Sequence, residues 1–113
     1  MGANNQSELR VNSEYYHALC ALELFNKDAE YLLSSFVKKN PESIKVKDAY
    51  FQLGKYSYRK GAYEKAIEWF NKIEVADLDQ KEKNEYNFKK GYCYFKNDQL
   101  EEAGKQFYEI KDS

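Results

Sequence analysis

The stretch Tyr50-Phe-Gln-Leu-Gly-Lys-Tyr-Ser-Tyr58 decides the fold, because a similar stretch follows at Asn87-Phe-Lys-Lys-Gly-Tyr-Cys-Tyr-Phe95. Gly54 and Gly91, at equivalent places in the two stretches, are 37 residues apart. The same spacing separates three further pairs of like residues, namely Ala66 and Ala103, Phe70 and Phe107, and Ile73 and Ile110. A spacing kept across four columns indicates an internal repeat, whose units form a core by stacking on one another.

The first third of the chain follows this period less closely. One period earlier lie His17, Ala29, Leu33 and Phe36, and only His17 changes the character of its column, because it replaces a glycine. Three such units account for nearly all of the 113 residues. We therefore predict a disordered segment over 1–7 and one repeat domain over 8–113, with repeats at about 10–46, 47–83 and 84–113.

Apolar residues within each unit recur at helical spacing, as Ala66, Ile67, Phe70 and Ile73 do. Asp79 followed by Glu82 has the sequence of a helix-capping box. Gly61 predicts the turn inside the second unit, and Asp98 takes its place in the third. Asn40 precedes Pro41, which ends a helix because the residue before proline avoids the α region. The pattern predicts six helices, at about 8–25, 28–39, 43–60, 63–75, 79–97 and 100–111.

Composition excludes several classes of protein. The chain has 1 proline and 5 glycines, which argues against a turn-rich β sandwich. Charged residues make up 33% of the chain and the net charge is −1, which argues against a basic nucleic-acid-binding surface. No run of 18 apolar residues predicts a membrane span, and the first residues lack the apolar core of a signal peptide. Cys20 and Cys93 are interpreted as buried apolar fillers, and their spacing supports no disulfide, so the compartment stays open.

The residues Leu53-Gly54, Ala66, Phe70 and Pro41 resemble the pattern of the tetratricopeptide repeat. This resemblance implies a right-handed superhelical stack of three helix-turn-helix hairpins. The Tyr- and Lys-rich style also resembles long multi-repeat proteins of bacterial envelopes. The localisation is left unknown: a soluble chain, cytoplasmic or, if part of such a longer bacterial protein, periplasmic or envelope-associated. The crowded apolar residues of the sixth helix, Leu100, Phe107, Tyr108 and Ile110, predict either a fragment of a longer array or self-association through that helix.

The resemblance implies a non-enzymatic scaffold that binds a peptide or partner segment in a concave groove lined by the first helix of each repeat. Carried onto this sequence, the groove contains Phe51, Lys55, Tyr58, Arg59, Phe88, Tyr92, Phe95 and Lys96. We expect Phe51 and Phe88 to be exposed there, whereas Tyr58 and Phe95 either line the groove or pack between adjacent first helices. The clamp that binds C-terminal carboxylates in this family is not expected, since only Lys89 among its matching positions is cationic.

Catalytic and metal-binding interpretations are weak. His17 and Cys20 share a helical face, but no third residue is placed to orient them, and one histidine with two distant cysteines cannot complete a usual metal site. No cofactor is implied. Two alternatives to a peptide-binding scaffold stay open, a purely structural segment of a longer solenoid and a single-stranded nucleic-acid binder, because lysines and aromatics are interleaved at 55–60 and 89–92.

Overall fold

The computed structural model describes the backbone of residues 2–24 and 28–111 and the side chains of residues 8–24 and 28–111. Within these ranges every regular element is helical, so the prediction of an all-α fold is confirmed. The helices pack in adjacent pairs. They are α1 (Gly2–Glu23), α2 (Ala29–Lys39), α3 (Val46–Arg59), α4 (Tyr63–Phe70), α5 (Gln80–Lys96) and α6 (Leu100–Tyr108), with a 3-10 turn at Val75–Asp77.

Several helix bounds differ from those predicted. Helix α1 begins at Gly2, so the backbone of residues 2–7 continues the helix where disorder was predicted; no proline interrupts this stretch. Helix α4 ends at Phe70, because the chain turns at Asn71 and forms the 3-10 turn that precedes the buried Leu78. Residues 25–27 and 112–113, which the predicted helices and domain included, lie outside the described residues.

The chain divides into two compact units, Met1–Ala49 and Tyr50–Ser113. In the first unit, α1 and α2 pack as a pair through apolar faces at helical spacing. The ring of Tyr15 lies 5.3 Å from that of Phe36, and Lys45 lies over Tyr15 at 5.6 Å. Burial raises the pKa of Tyr15, which therefore stays neutral. The other buried residues of this pair are Ala18, Ala21, Leu22, Ala29, Leu33 and Val37.

The second unit contains the two stretches that define the repeat, and both make the same contact. A Cβ atom built on Gly54 would lie 2.6 Å from Cδ1 of Phe70, and one built on Gly91 would lie 2.8 Å from Cε1 of Phe107. Each glycine thus allows the first helix of a hairpin to approach an aromatic ring of the second. The two hairpins of this unit therefore repeat the same contact, as the spacing of 37 residues in both columns leads one to expect.

The local signals at the helix ends are also confirmed. Gly61 has φ +80° and Asp98 has φ 62°, so the two residues occupy the same left-handed turn position in successive hairpins. Asp79 accepts a hydrogen bond from the backbone N–H of Glu82 at 2.8 Å, while the carboxylate of Glu82 accepts one from the N–H of Asp79 at 3.0 Å. Helix α2 ends at Lys39, two residues before Pro41.

Candidate functional site

All but one of the predicted groove residues reach the surface of the second unit. The exception is Phe51, which is 5% exposed, so the expectation that it lines a groove is wrong. Its ring packs edge-to-face against Phe70 at 6.0 Å and belongs to a core that also contains Tyr86 and Cys93. Phe88, the residue one period later, is 49% exposed, as expected.

Three tyrosines from successive helices meet at the centre of this surface. The ring centroid of Tyr58 on α3 lies 5.5 Å from that of Tyr92 on α5, and Tyr63 on α4 lies 6.3 Å from Tyr58 and 5.8 Å from Tyr92. All three pairs are edge-to-face, the geometry that aromatic quadrupoles favour. Tyr58 therefore packs against the next first helix and is also partly exposed.

Lysines border this tyrosine cluster. The ammonium of Lys89 lies 5.0 Å from the ring centroid of Tyr58, and that of Lys96 lies 5.9 Å from the ring of Tyr92. Burial raises the pKa of Tyr58, and the neighbouring hydroxyl of Tyr92 raises it further. The Tyr58 hydroxyl is therefore a neutral hydrogen-bond donor and acceptor at physiological pH.

One carboxylate connects the cations of this surface. Glu85 lies 3.5 Å from the ammonium of Lys89 and 3.9 Å from that of Lys55, so it joins α5 to α3. These groups are partly exposed, where ion pairs contribute little to stability. The pairs instead fix where the lysines lie. Arg59, Phe95 and Lys96 remain exposed at the end of the same two helices.

The surface defined by Tyr58, Tyr63, Tyr92, Lys89 and Phe95 is called the tyrosine face below. Sequence reasoning missed two of its members. Lys89 was not placed in the groove, although its spacing of four residues from Glu85 indicates an ion pair along the helix. Tyr63 was not placed there either, although it follows the predicted turn at Gly61, which brings its ring to within 6.3 Å of that of Tyr58.

The His17–Cys20 pair lies on the outside of α1. Both residues are exposed, whereas the repeat alignment placed them in core columns. Ala18, the residue after His17, is buried instead, so the core face of α1 is rotated relative to the repeat alignment. Cys93 is fully buried, as predicted, and both cysteines are free thiols. Burial raises the pKa of the Cys93 thiol to about 12, which keeps it protonated.

Two features are absent from the residues that the structure describes. No group of three or more His, Cys, Asp or Glu side chains is arranged to hold a metal ion. None of the described helices combines the length and apolar character that crossing a membrane requires. Comparison with known proteins gives no further assignment: no family model matches the chain, and neither a curated protein nor a solved structure matches it.

Proposed function

We propose that this chain is a non-enzymatic protein-interaction module that binds a segment of a partner protein on the tyrosine face. The observation that carries the proposal is the cluster of Tyr58, Tyr63 and Tyr92 with Lys89 above it and the exposed ring of Phe95 beside it. Tyrosines and other aromatics dominate the binding energy of protein interfaces, because they bring a large contact area at little cost in conformational entropy.

Charge indicates the chemistry of the partner segment. Lys55, Lys89 and Lys96 lie on α3 and α5 around the tyrosines, and Glu85 pairs with the first two of them. The excess of positive charge favours a segment that carries acidic residues, with an apolar side chain to contact Phe95. The resemblance to tetratricopeptide repeats supports the same proposal, and the right-handed superhelix that it implies is part of it. The repeated Gly54–Phe70 and Gly91–Phe107 contacts favour this arrangement.

A photo-crosslinking residue placed at position 95 tests the proposal in cells, with the same residue at exposed Tyr31 of the first unit as a matched control. We expect a crosslinked partner from position 95 that is absent from position 31. Lys89→Glu together with Lys96→Glu should abolish this crosslink while the helical circular dichroism stays unchanged. A crosslink that persists in the double variant would contradict binding on the tyrosine face.

A nucleic-acid partner would give a different result. Single-stranded DNA or RNA bound through these lysines and aromatics would show an affinity that falls steeply with salt concentration. We expect no such binding in a titration with a single-stranded oligonucleotide, because the chain has a net charge of −1 and so has no overall basic field to attract nucleic acid. Tight, salt-sensitive binding would replace the protein partner with a nucleic acid.

A second candidate function, a structural segment in a larger helical assembly, rests on a separate observation. Phe51 and Phe70 are covered by α5, where Tyr86 lies 5.8 Å from Phe70. Their equivalents one period later, Phe88 and Phe107, contact each other at 6.0 Å but are partly exposed. A helix that packs as α5 does would cover them. A second copy of the chain is the occupant that we propose for this surface.

A further inference from the structure

A crevice of about 420 Å³ lies in the second unit, away from the tyrosine face. Helices α5 and α6 form its walls, and residues near the 3-10 turn and after α6 close its ends. This volume lies within the range of ~300–1,000 Å³ that is common for small-molecule sites. The residues that line it are Val75, Gln80, Lys83, Tyr86, Asn87, Lys90, Gln106, Glu109 and Lys111.

At this crevice Lys90 departs from the residue type that the repeat has one period earlier. Its equivalent one period earlier, Leu53, is fully buried in the core, and Lys90 is itself only 9% exposed. An ammonium at such a position costs stability that leucine would not, because burial removes the charge from water. Residues that break a local rule in this way are expected at functional sites.

The Lys90 ammonium has no oppositely charged partner among the described residues. It donates a hydrogen bond to the Tyr86 hydroxyl at 3.1 Å and lies 5.1 Å and 5.9 Å from the rings of Tyr86 and Tyr94. No ion pair with a carboxylate forms at Lys90 within the described part of the chain. Burial lowers the pKa of Lys90, as expected for an ammonium that has lost hydration and gained no anion.

Other groups in the crevice suit an anion that also carries a hydroxyl. Lys83 and Lys111 add two positive charges against the single carboxylate of Glu109. The side-chain amide oxygen (Oε1) of Gln106 is buried and accepts no hydrogen bond from the described residues, so it can accept one from a ligand.

Hydrogen bonds between Asn84 and Lys111 connect α5 to the chain at one end of the crevice. The side-chain amide of Asn84 donates to the backbone carbonyl of Lys111 at 2.7 Å, and its oxygen accepts from the backbone N–H of Lys111 at 3.0 Å. Gln80 donates to the same Asn84 oxygen at 3.0 Å. These bonds tie the backbone of Lys111, after α6, to α5.

We propose that this crevice binds a small oxyanion, a phosphate or a carboxylate, with the Lys90 ammonium as its central donor. Lys83 and Lys111 add charge at the rim, and Gln106 accepts a hydrogen bond from a hydroxyl of the ligand. Hydrogen phosphate and hydroxycarboxylates both have this chemistry. The site is independent of the proposed partner-binding function, because it uses none of the residues of the tyrosine face.

Isothermal titration calorimetry with inorganic phosphate and with citrate, at constant ionic strength, tests the site. We expect binding at millimolar concentrations or below, because an anion in the crevice gains charge-assisted hydrogen bonds from the Lys90 ammonium. The tighter of the two probes identifies the ligand as a phosphate or a carboxylate compound.

Lys90→Met is the decisive variant, since it replaces the ammonium with an apolar chain of similar length. It should weaken binding by about tenfold or more and raise the melting temperature. Lys83→Met should weaken binding less, and it keeps the test valid if Lys90→Met fails to fold. Lys81→Met, on an exposed position of the same helix, is the control and should change nothing. Binding by neither probe, or equal weakening by Lys90→Met and Lys81→Met, would overturn the proposal.

Discussion

Gly54 lies where the backbone of α3 meets the side chain of Phe70, a fully buried ring. The ring is held by Phe51 and Tyr86, so it cannot move aside without disturbing the core of the second unit. Gly54→Ala should therefore lower the free energy of unfolding by about 1–3 kcal/mol, the usual cost of overpacking a core. Chemical denaturation of the purified chain measures this change.

Two other glycines provide the controls. Gly104 lies within α6, and a Cβ atom added there would meet no atom within 4 Å, so Gly104→Ala should stabilise the chain by about 0.5–1 kcal/mol through helix propensity. Gly91→Ala should cost less than Gly54→Ala, because Phe107 is 38% exposed and its ring can shift toward solvent. Equal effects of all three substitutions would contradict the close approach at Gly54.

The two thiols should differ in reactivity. Cys20 is exposed, whereas Cys93 is buried with its pKa raised to about 12. The thiolate is the reacting species, and the fraction of Cys93 that is ionised at pH 8 is very small. A thiol reagent at pH 8 should therefore label Cys20 rapidly and Cys93 only after denaturation. Rapid labelling of both in the native chain would contradict the burial of Cys93.

At the scale of single elements, the capping box at the start of α5 is a local device with a measurable effect. Asp79→Ala removes the acceptor for the Glu82 N–H, so it should lower the free energy of unfolding by about 1 kcal/mol. Asp79→Asn keeps an acceptor at the cap and should preserve most of the stability. Thermal melts of the two variants make the comparison, and an alanine variant as stable as the asparagine variant would show that the cap contributes nothing.

The elements that sequence predicted well are those with local signals. The cap at Asp79, the left-handed turn positions Gly61 and Asp98, and the end of α2 before Pro41 depend on residues close to one another in the chain. The early end of α4 and the 3-10 turn at Val75–Asp77 were missed, because the helical spacing of apolar residues continues to Ile73. Ile73 is buried, although it lies beyond the end of α4.

The residues of the candidate site were predicted less well, for a physical reason. Phe51 and Phe88 are the same residue type in the same repeat column, yet one is buried and the other half exposed. The difference depends on whether another helix covers the ring. The residue type at a repeat position carries no information about that covering helix. In α1 the buried face includes Ala18 and leaves His17 exposed. This face is rotated relative to the repeat alignment, and the histidine at the glycine position did not reveal the rotation.

At the scale of the whole molecule, the surface of α6 is the feature with the clearest physical consequence. Leu100, Phe107 and Tyr108 are spaced so that they share one side of the helix, and all three are exposed, Tyr108 to 84%. Phe107 continues this stripe to Phe88 on α5. Exposed apolar side chains that adjoin in this way are typical of interaction surfaces.

We predict that this surface associates with a second copy of the chain, because the equivalent pair Phe51 and Phe70 is buried under a covering helix. Light scattering over a concentration series should show a molecular mass that rises above that of the monomer. Tyr108→Lys places a charge in the contact and should shift the curve toward the monomer, whereas Tyr31→Lys, at an exposed position of the first unit, should leave it unchanged. A chain that stays monomeric at high concentration would contradict self-association, and so would an oligomer that tolerates Tyr108→Lys. In the second case the contact would have to lie on a different surface, and the repeat equivalence of the two phenylalanine pairs would not explain it.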